Sequence, residues 1–468
     1  MNKITFALYF GNRGFFPGEL IASARKEMKE AVKSIGCDYI ELDEKLTRFG
    51  GVETMAEGQV YAKFLEKNKG KFDGVILCLP NFGDENGAAI ALRDVNVPIL
   101  IQAYPDTEGK LDFAHRRDAF CGKISIADVF NQVGIKYTIF PPHTCHPGSE
   151  EFKKQLIDFK GICNVVGNMK RMNVGSIGIR PTAFKTIRYD EIALQNYGIN
   201  VEAFDLLQLF DYMDKVDTGS DYFVETKKKI AGASDTSAVP DEQLETMSKL
   251  YLGLKQMIAD YDLHALAIRC WSDMQNALKI TPCLVNGLFH SERIPVACET
   301  DVCNAIAMYA LQCAADEPPI CMDWNNNFND EENKCILFHC GNVAPEQMTE
   351  KGNTISHKML DKGKEELGGI AWGCNQGRIR QSPITYMSSK TSNGKLSFYL
   401  GEGKVTADDI EDGFFGIAGV VEIPNLQKVL LGVCKSGYRH HVSLTFGEVE
   451  TILREAFCTY LGYEIEDF

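Results

Sequence analysis

The chain has no uninterrupted apolar stretch approaching the ~20 residues that a membrane helix needs, which excludes a helical span. Positive charge is also short. With 49 Lys and Arg against 64 Asp and Glu, the net charge of -15 repels phosphate backbones, and no Lys/Arg stripe interleaved with aromatics offsets it. Neither nucleic acid nor a membrane is expected as a partner. No Cys-x-x-Cys occurs among the 16 cysteines, so a zinc ribbon or thioredoxin-like motif is excluded. Many of these cysteines, including Cys78, Cys298, Cys321 and Cys335, lie inside apolar runs and read as reduced, buried thiols acting as small hydrophobes. No Gly-x-Gly-x-x-Gly follows the first strand-like run and no Gly-Lys-Ser/Thr loop is present, which removes the usual nucleotide signatures. The opening residues pass from Met1 to Ala7 straight into a Gly-Asn-Arg-Gly turn without a long apolar region, so a cytoplasmic protein is expected.

What is present is the composition of a globular protein, 45% hydrophobic and 24% charged over 468 residues. That length exceeds one comfortable core, and three domains are expected: 1-165, 166-330 and 331-468. The first portion alternates strand-like runs (Ile4 to Phe10, Tyr39 to Leu42, Gly74 to Leu79, Pro98 to Gln102) with helical stretches at Glu19 to Ile35 and Met55 to Asn68. Strands alternating with helices predict a parallel sheet wound on both faces. A second α/β layer begins near Gly175, with strands at Asn196 to Val201 and His264 to Cys270 and a long helix from Pro240 to Tyr261. After about His339 the texture changes. Ser382 to Met387 and Lys395 to Leu400 alternate polar and apolar residues between Gly-bearing turns, which reads as an antiparallel sheet or barrel, followed by a closing helix from Phe446 to Leu461. The fold class is therefore α/β: two Rossmann-like doubly wound domains, then a mainly antiparallel, barrel-like β domain.

Three short apolar runs each lead into a metal-type ligand: Arg293 to Cys298 into Glu299, Pro319 to Met322 into Asp323, and Cys335 to Phe338 into His339. Loops diverge at the carboxyl ends of buried strands in α/β proteins, which leaves room for a ligand. The pair His440-His441 heads a further alternating run, Val442 to Phe446. Neighbours in a strand point to opposite faces, so one of the two histidines is expected to face the site. Carboxylates with imidazole and no thiolate motif suit Mn²⁺ or Mg²⁺ better than structural zinc. Burying Glu299 and Asp323 together without a cation would force a proton onto one of them. The bland alternatives are that Glu299-Thr300-Asp301 caps an amphipathic helix running to about Ala314 and that Asp323 is a turn acid before Trp324 and the three asparagines. His143, Cys145 and His146 lie among prolines and lack a fourth nearby ligand, so a zinc cluster is not expected there.

Val296 to Val302, Cys321-Met322-Asp323, Phe338-His339-Cys340-Gly341-Asn342 and His440-His441 resemble, in order and spacing, the L-fucose isomerase and L-arabinose isomerase superfamily. Gly11-Asn12-Arg13-Gly14 is similar to the arginine turn of the fucose branch, and Gly178-Ile179-Arg180-Pro181 to its second-layer opening. The resemblance implies two α/β layers plus a β-barrel-like domain, metal ligation by Glu299, Asp323 and His441, and a homo-oligomer that is trimer-based or hexameric. The position of His339 matches a ligand of the arabinose branch. The activity implied is aldose–ketose isomerisation of an open-chain monosaccharide, with Mn²⁺ or another hard divalent ion such as Mg²⁺ or Co²⁺. In that scheme Glu299 and Asp323 are catalytic as well as ligating, while Arg13, Trp271, Trp324, His339 and Asn342 contact the sugar. The rival readings are a non-catalytic sugar-binding or regulatory protein on the same scaffold, a sugar epimerase, and an isomerase for 6-sulfo or 6-phospho sugars. Arg13, Arg180 and Lys435 are the basic residues available for an anionic tail.

Overall fold

Strands β1 (Thr5–Phe10), β2 (Asp38–Glu41), β3 (Gly74–Leu79) and β4 (Ile99–Ala103) run parallel in the order β2-β1-β3-β4. They belong to the first of two compact units in a computed structural model that describes residues 3–361, 369–411 and 413–468. That unit comprises Met1–Asn168 with Thr451–Gly462, and the second comprises Met169–Glu450 with Tyr463–Phe468. Every residue of β3 and β4 is buried, which is why both read as continuous apolar runs rather than alternating ones. Alternate residues of β1 serve opposite faces. Ala7 and Tyr9 share a core with Tyr61, Leu65, Ala88 and Phe130, whereas Phe6 stacks on Phe159. The helices Met55–Lys67 and Glu85–Leu92 both start on side-chain caps, Thr54 accepting from the Glu57 amide and Asp84 from that of Gly87. In the same unit His143, Cys145 and His146 do not converge. The Cys145 thiol donates to Gln155, His146 pairs with Glu27, and the His143 ring lies edge-on to Phe120.

The second unit contains another parallel sheet, β5 (Met172–Ile177), β6 (Ile199–Phe204), β7 (Ala265–Ile268) and β8 (Val296–Ala297), in the order β6-β5-β7-β8. It also contains a nine-stranded, mainly antiparallel sheet. Its strands are β9 (Ile320–Asn327), β10 (Lys334–His339), β11 (Asn353–Ser356), β12 (Trp372–Arg378), β13 (Ser382–Ser392), β14 (Lys395–Val405), β15 (Ile417–Glu422), β16 (His441–Phe446) and β17 (Glu464–Ile465). Their order is β11-β12-β15-β10-β9-β16-β13-β14-β17, and an extra pairing of β14 with β15 closes β15, β10, β9, β16, β13 and β14 into a ring. Period-two alternation sorts the side chains: Ile320, Met322, Val442 and Leu444 join one apolar core. Cys321 and Ser443, between them, instead meet Asn304 of the helix Val302–Ala315.

That helix departs from the amphipathic reading, because every residue from Val302 to Ala314 is buried. It packs against β7 on one hand and against β13 and β16 on the other, so no face is left for water. The expected closing helix also differs. Phe446 is held in β16 by pairing with Ile384, and helix begins only at Glu450–Arg454, continuing as a wider π-wound segment Glu455–Leu461.

The helices Met55–Lys67 and Glu85–Leu92 approach so closely that a Cβ at Gly58 would stand 2.5 Å from the Gly87 carbonyl oxygen. Gly58→Ala is therefore expected to cost about 1–3 kcal/mol through overpacking. Urea denaturation should show a lower midpoint at unchanged slope, and an unchanged midpoint would contradict the packing.

Candidate metal centre

After β8 the chain turns through Glu299 and Thr300, whose φ angles are +53° and +62°. The left-handed region is unfavourable for residues with a Cβ, and more so for β-branched threonine, at about 1–3 kcal/mol each. The turn brings two carboxylates onto one imidazole. Glu299 Oε2 lies 3.0 Å from His441 Nε2, and Asp301 Oδ2 lies 2.8 Å from His441 Nδ1. Asp301 performs two tasks. Its Oδ1 caps the helix by accepting from the Asn304 amide at 3.1 Å and also accepts from the buried Arg439 guanidinium. The capping role expected for 299–301 thus falls to Asp301, leaving Glu299 for the centre.

Asp323 reaches the same place from β9, where it stands in register opposite His441. Its Oδ1 is 3.6 Å from His441 Nε2 and 3.7 Å from His440 Nε2. Asp323 does not end a strand as expected. The strand continues past it to Asn327, with Asn325 the extra residue where the register with β10 shifts between Ile336 and Leu337, so the three asparagines are strand rather than turn. Both histidines of the pair approach Asp323, because His440 precedes β16 and escapes its alternation. His441 is buried and His440 half-exposed. His339, at the end of β10, is buried with Nε2 4.0 Å from Glu299 Oε2.

The electrostatics of this cluster are those of charges seeking partners in a dry place. Burial alone would raise the Glu299 carboxyl, but His441 and then His339 hold it down to about 2. Burial also disfavours charge on His441, yet Cys321, Asp301 and Glu299 together raise it well above the ordinary histidine value. Asp301 is likewise lowered against its burial, chiefly by Arg439. His440 is lowered by burial and by the charge on His441. Two buried carboxylate oxygens, Glu299 Oε2 and Asp323 Oδ1, nevertheless accept no hydrogen bond from the described residues, although His441 Nε2 is near both. Unpartnered anionic oxygens on either side of an imidazole nitrogen fit a hard divalent cation. Asp301 contacts Nδ1 of His441, which leaves Nε2 turned toward Glu299 and Asp323. Among the described residues three groups, Cys270/Cys298/Glu299, Glu299/His339/His441 and Asp323/His440/His441, each have their potential ligand atoms within 4.8 Å of one another.

Other expected residues are placed as follows. Asn342 is buried and donates to Cys298 Sγ at 3.8 Å, as Asn286 does. Trp271 is half-buried, edge-on to Phe184 and His357, and its neighbour Cys270 donates its thiol to Glu299 Oε1 at 3.4 Å. Trp324 packs away from this cluster. Alternation along β9 sends it to the face opposite Asp323, where its indole N–H donates to Tyr399 at 2.9 Å and its ring packs on Tyr386. Arg13 belongs to the first unit, where its guanidinium pairs with Glu85 and covers the Phe82 ring at 4.0 Å. Sequence reasoning missed Arg439, the second task of Asp301, Cys270 and Phe184. Arg439 was within view as the residue preceding the histidine pair; nothing in the local pattern marked Phe184.

Family models match both ends of the chain. The model described as Fucose/sulfoquinovose isomerase, N-terminal domain, matches residues 7–170, and that described as L-fucose isomerase, C-terminal domain, matches 337–468. The chain belongs to the L-fucose isomerase superfamily. As a member it is an aldose–ketose isomerase. Among curated relatives in this superfamily, the sulfoquinovose isomerase of Priestia aryabhattai is 23% identical over 402 residues, 84% of this chain and 85% of that one. That of Alkalicoccus urumqiensis is 23% identical over 413 residues, 86% and 88% of the two chains. That of Clostridium sp. (strain MSTE9) is 21% identical over 308 residues, 65% and 66%. The L-fucose isomerase C-terminal match includes His339, Arg439 and His441, whereas Glu299 and Asp323 lie between the two matched regions.

Replacing Arg439 with Met would strand the Asp301 carboxylate in the interior without a counter-charge. A loss of about 3–5 kcal/mol is expected. Thermal melting of the metal-free protein measures it, and a melting temperature equal to the parent's would refute the buried pair.

Proposed function

We propose that the protein moves a proton between C1 and C2 of an open-chain monosaccharide, interconverting aldose and ketose through an enediol(ate), with Glu299 and Asp323 as both metal ligands and acid–base groups. His441 completes the shell. The observation that carries this reading is the pair of buried carboxylate oxygens, Glu299 Oε2 and Asp323 Oδ1, left without hydrogen bonds beside His441 Nε2. A divalent cation such as Mn²⁺, Mg²⁺ or Co²⁺ held by these three residues would supply the polarisation that acidifies the C–H next to the carbonyl. The chain's own residues divide the remaining work. Glu299 is kept ionised and its Oε1 is steadied by the Cys270 thiol. Asp323 is the more open of the two, with 22% of its side chain exposed against 5% for Glu299, and so faces the side from which a sugar enters. Asp301 and Arg439 hold the imidazole in place. The substrate class is an L-fucose-like sugar or a 6-substituted one such as a sulfosugar, a choice supported by relatives named sulfoquinovose isomerase.

Glu299→Gln is expected to lower turnover by about 10²–10⁴-fold while leaving the circular dichroism of the parent intact. Turnover close to the parent's would remove Glu299 from the chemistry. Cation binding should release a proton, because the surroundings of His441 favour its protonated form whereas it coordinates only when neutral. Affinity is thus expected to rise with pH until His441 is deprotonated. Calorimetry with Mn²⁺ in two buffers of different ionisation enthalpy reads the released proton; identical heats would exclude His441 as a ligand.

A further inference from the structure

We propose that the pocket at the carboxyl ends of β5 and β6 is the subsite for an oxyanion, a sulfonate or a phosphate, carried at the far end of the sugar. The proposal deepens the isomerase reading above and rests on it. The cavity, about 330 Å³, is walled by Ser176, Gly178, Arg180, Arg188, Tyr189 and Thr300 among others. Carboxyl ends of parallel strands are where such sheets receive ligands.

Among the described residues its two arginines have no acidic partner. Arg180 Nη1 donates only to the carbonyls of Pro181 at 3.0 Å and Thr182 at 3.4 Å, and Arg188 Nε to that of Lys185 at 3.1 Å. Nearby carboxylates are engaged elsewhere: Asp190 caps the Ala193 amide and Glu202 accepts from the Asn200 side chain. By contrast Arg269, just beyond β7, is paired with Asp273. Two guanidinium groups sharing one cavity with their remaining N–H donors free make a local positive field on a chain of net charge -15. A guanidinium fork matches a sulfonate or phosphate through paired hydrogen bonds, whereas a neutral hydroxyl would leave most of those donors unused.

The pocket adjoins the metal centre along two stretches of chain. Thr300, in its wall, follows Glu299 directly. The loop that carries Arg180 and Arg188 also carries Phe184, whose ring centre lies 6.1 Å from that of His440 and 6.0 Å from that of Trp271. A sugar whose C1 and C2 face Glu299 and Asp323 would therefore run its tail past Thr300 toward the arginines. Lys435, on the helix Leu426–Ser436, is not among the lining residues.

The test compares kcat/KM of the Mn²⁺-loaded parent, Arg180→Met, Arg188→Met and Arg180→Lys on a 6-sulfo sugar, its 6-phospho analogue and the neutral 6-hydroxy sugar. The parent should favour an anionic sugar, and which of the two it favours identifies the oxyanion. Each Met variant should lose at least about tenfold of the anionic-over-neutral preference, mostly through KM, with Lys recovering part. A parent that favours the neutral sugar, or Met variants whose preference is unchanged, would overturn the subsite while leaving the isomerase reading intact. A parent that converts no sugar would defeat the isomerase reading instead. Calorimetric titration of inorganic sulfate then still judges the pocket: weaker binding in the Met variants supports it, and equal or absent binding in parent and variants overturns it.

Discussion

Asp301 joins a turn after a parallel strand to the head of an antiparallel one, because its two oxygens bind Arg439 and His441 at once. The rest of the centre depends on that contact. A buried carboxylate is tolerable only when its charge and lone pairs are met, and here one oxygen takes a guanidinium and a helix amide while the other takes an imidazole. The same contact fixes the orientation of the His441 ring, so that Nε2 faces Glu299 and Asp323. Without it the imidazole could turn, and the positive φ values at Glu299 and Thr300 would lose the interactions that hold them.

The helix Val302–Ala315 transmits this arrangement into the fold. Asp301 starts it, and its next residues pin the surrounding strands: the Cys303 carbonyl accepts from Ser389 of β13, while Asn304 meets Ser443 of β16 and Cys321 of β9. A helix covered by sheet on both sides is a poor place for flexibility, since interiors are close-packed. Glu299 and His441 are thereby held on rigid elements, while the open side of the cluster is built from less buried groups, Asp323, His440, Phe184 and Trp271.

The legible part of the chain was that in which local pattern and tertiary role coincide. Continuous apolar runs marked β3 and β4 because both their faces are buried, and Thr54 and Asp84 stood where helix amides need caps. Glu299, Asp323, His339 and His441 were visible because each adjoins an apolar strand; in the fold Glu299 lies with His339 and His441, and Asp323 with His440 and His441. Aromatic character does not say which face of a strand a residue such as Trp324 occupies, and the extra residue Asn325 in β9 was not visible in the local pattern. The helix after Asp301 was read as amphipathic because asparagine, glutamine and cysteine look like a polar face until their partners on neighbouring strands are known.

The chain's own order of residues determined element types, the oxygen and imidazole character of the ligands, and the absence of thiolate or nucleotide motifs. These follow from local spacing and side-chain chemistry, which a linear string displays. Only the tertiary structure decided that Asp301 supports His441 from 140 residues away, that Arg439 neutralises it, and that Arg180 and Arg188 share a cavity with Thr300. The reason is physical: strand register and burial are set by topology, and a one-residue slip or an extra covering sheet changes which side chains meet without changing any local pattern.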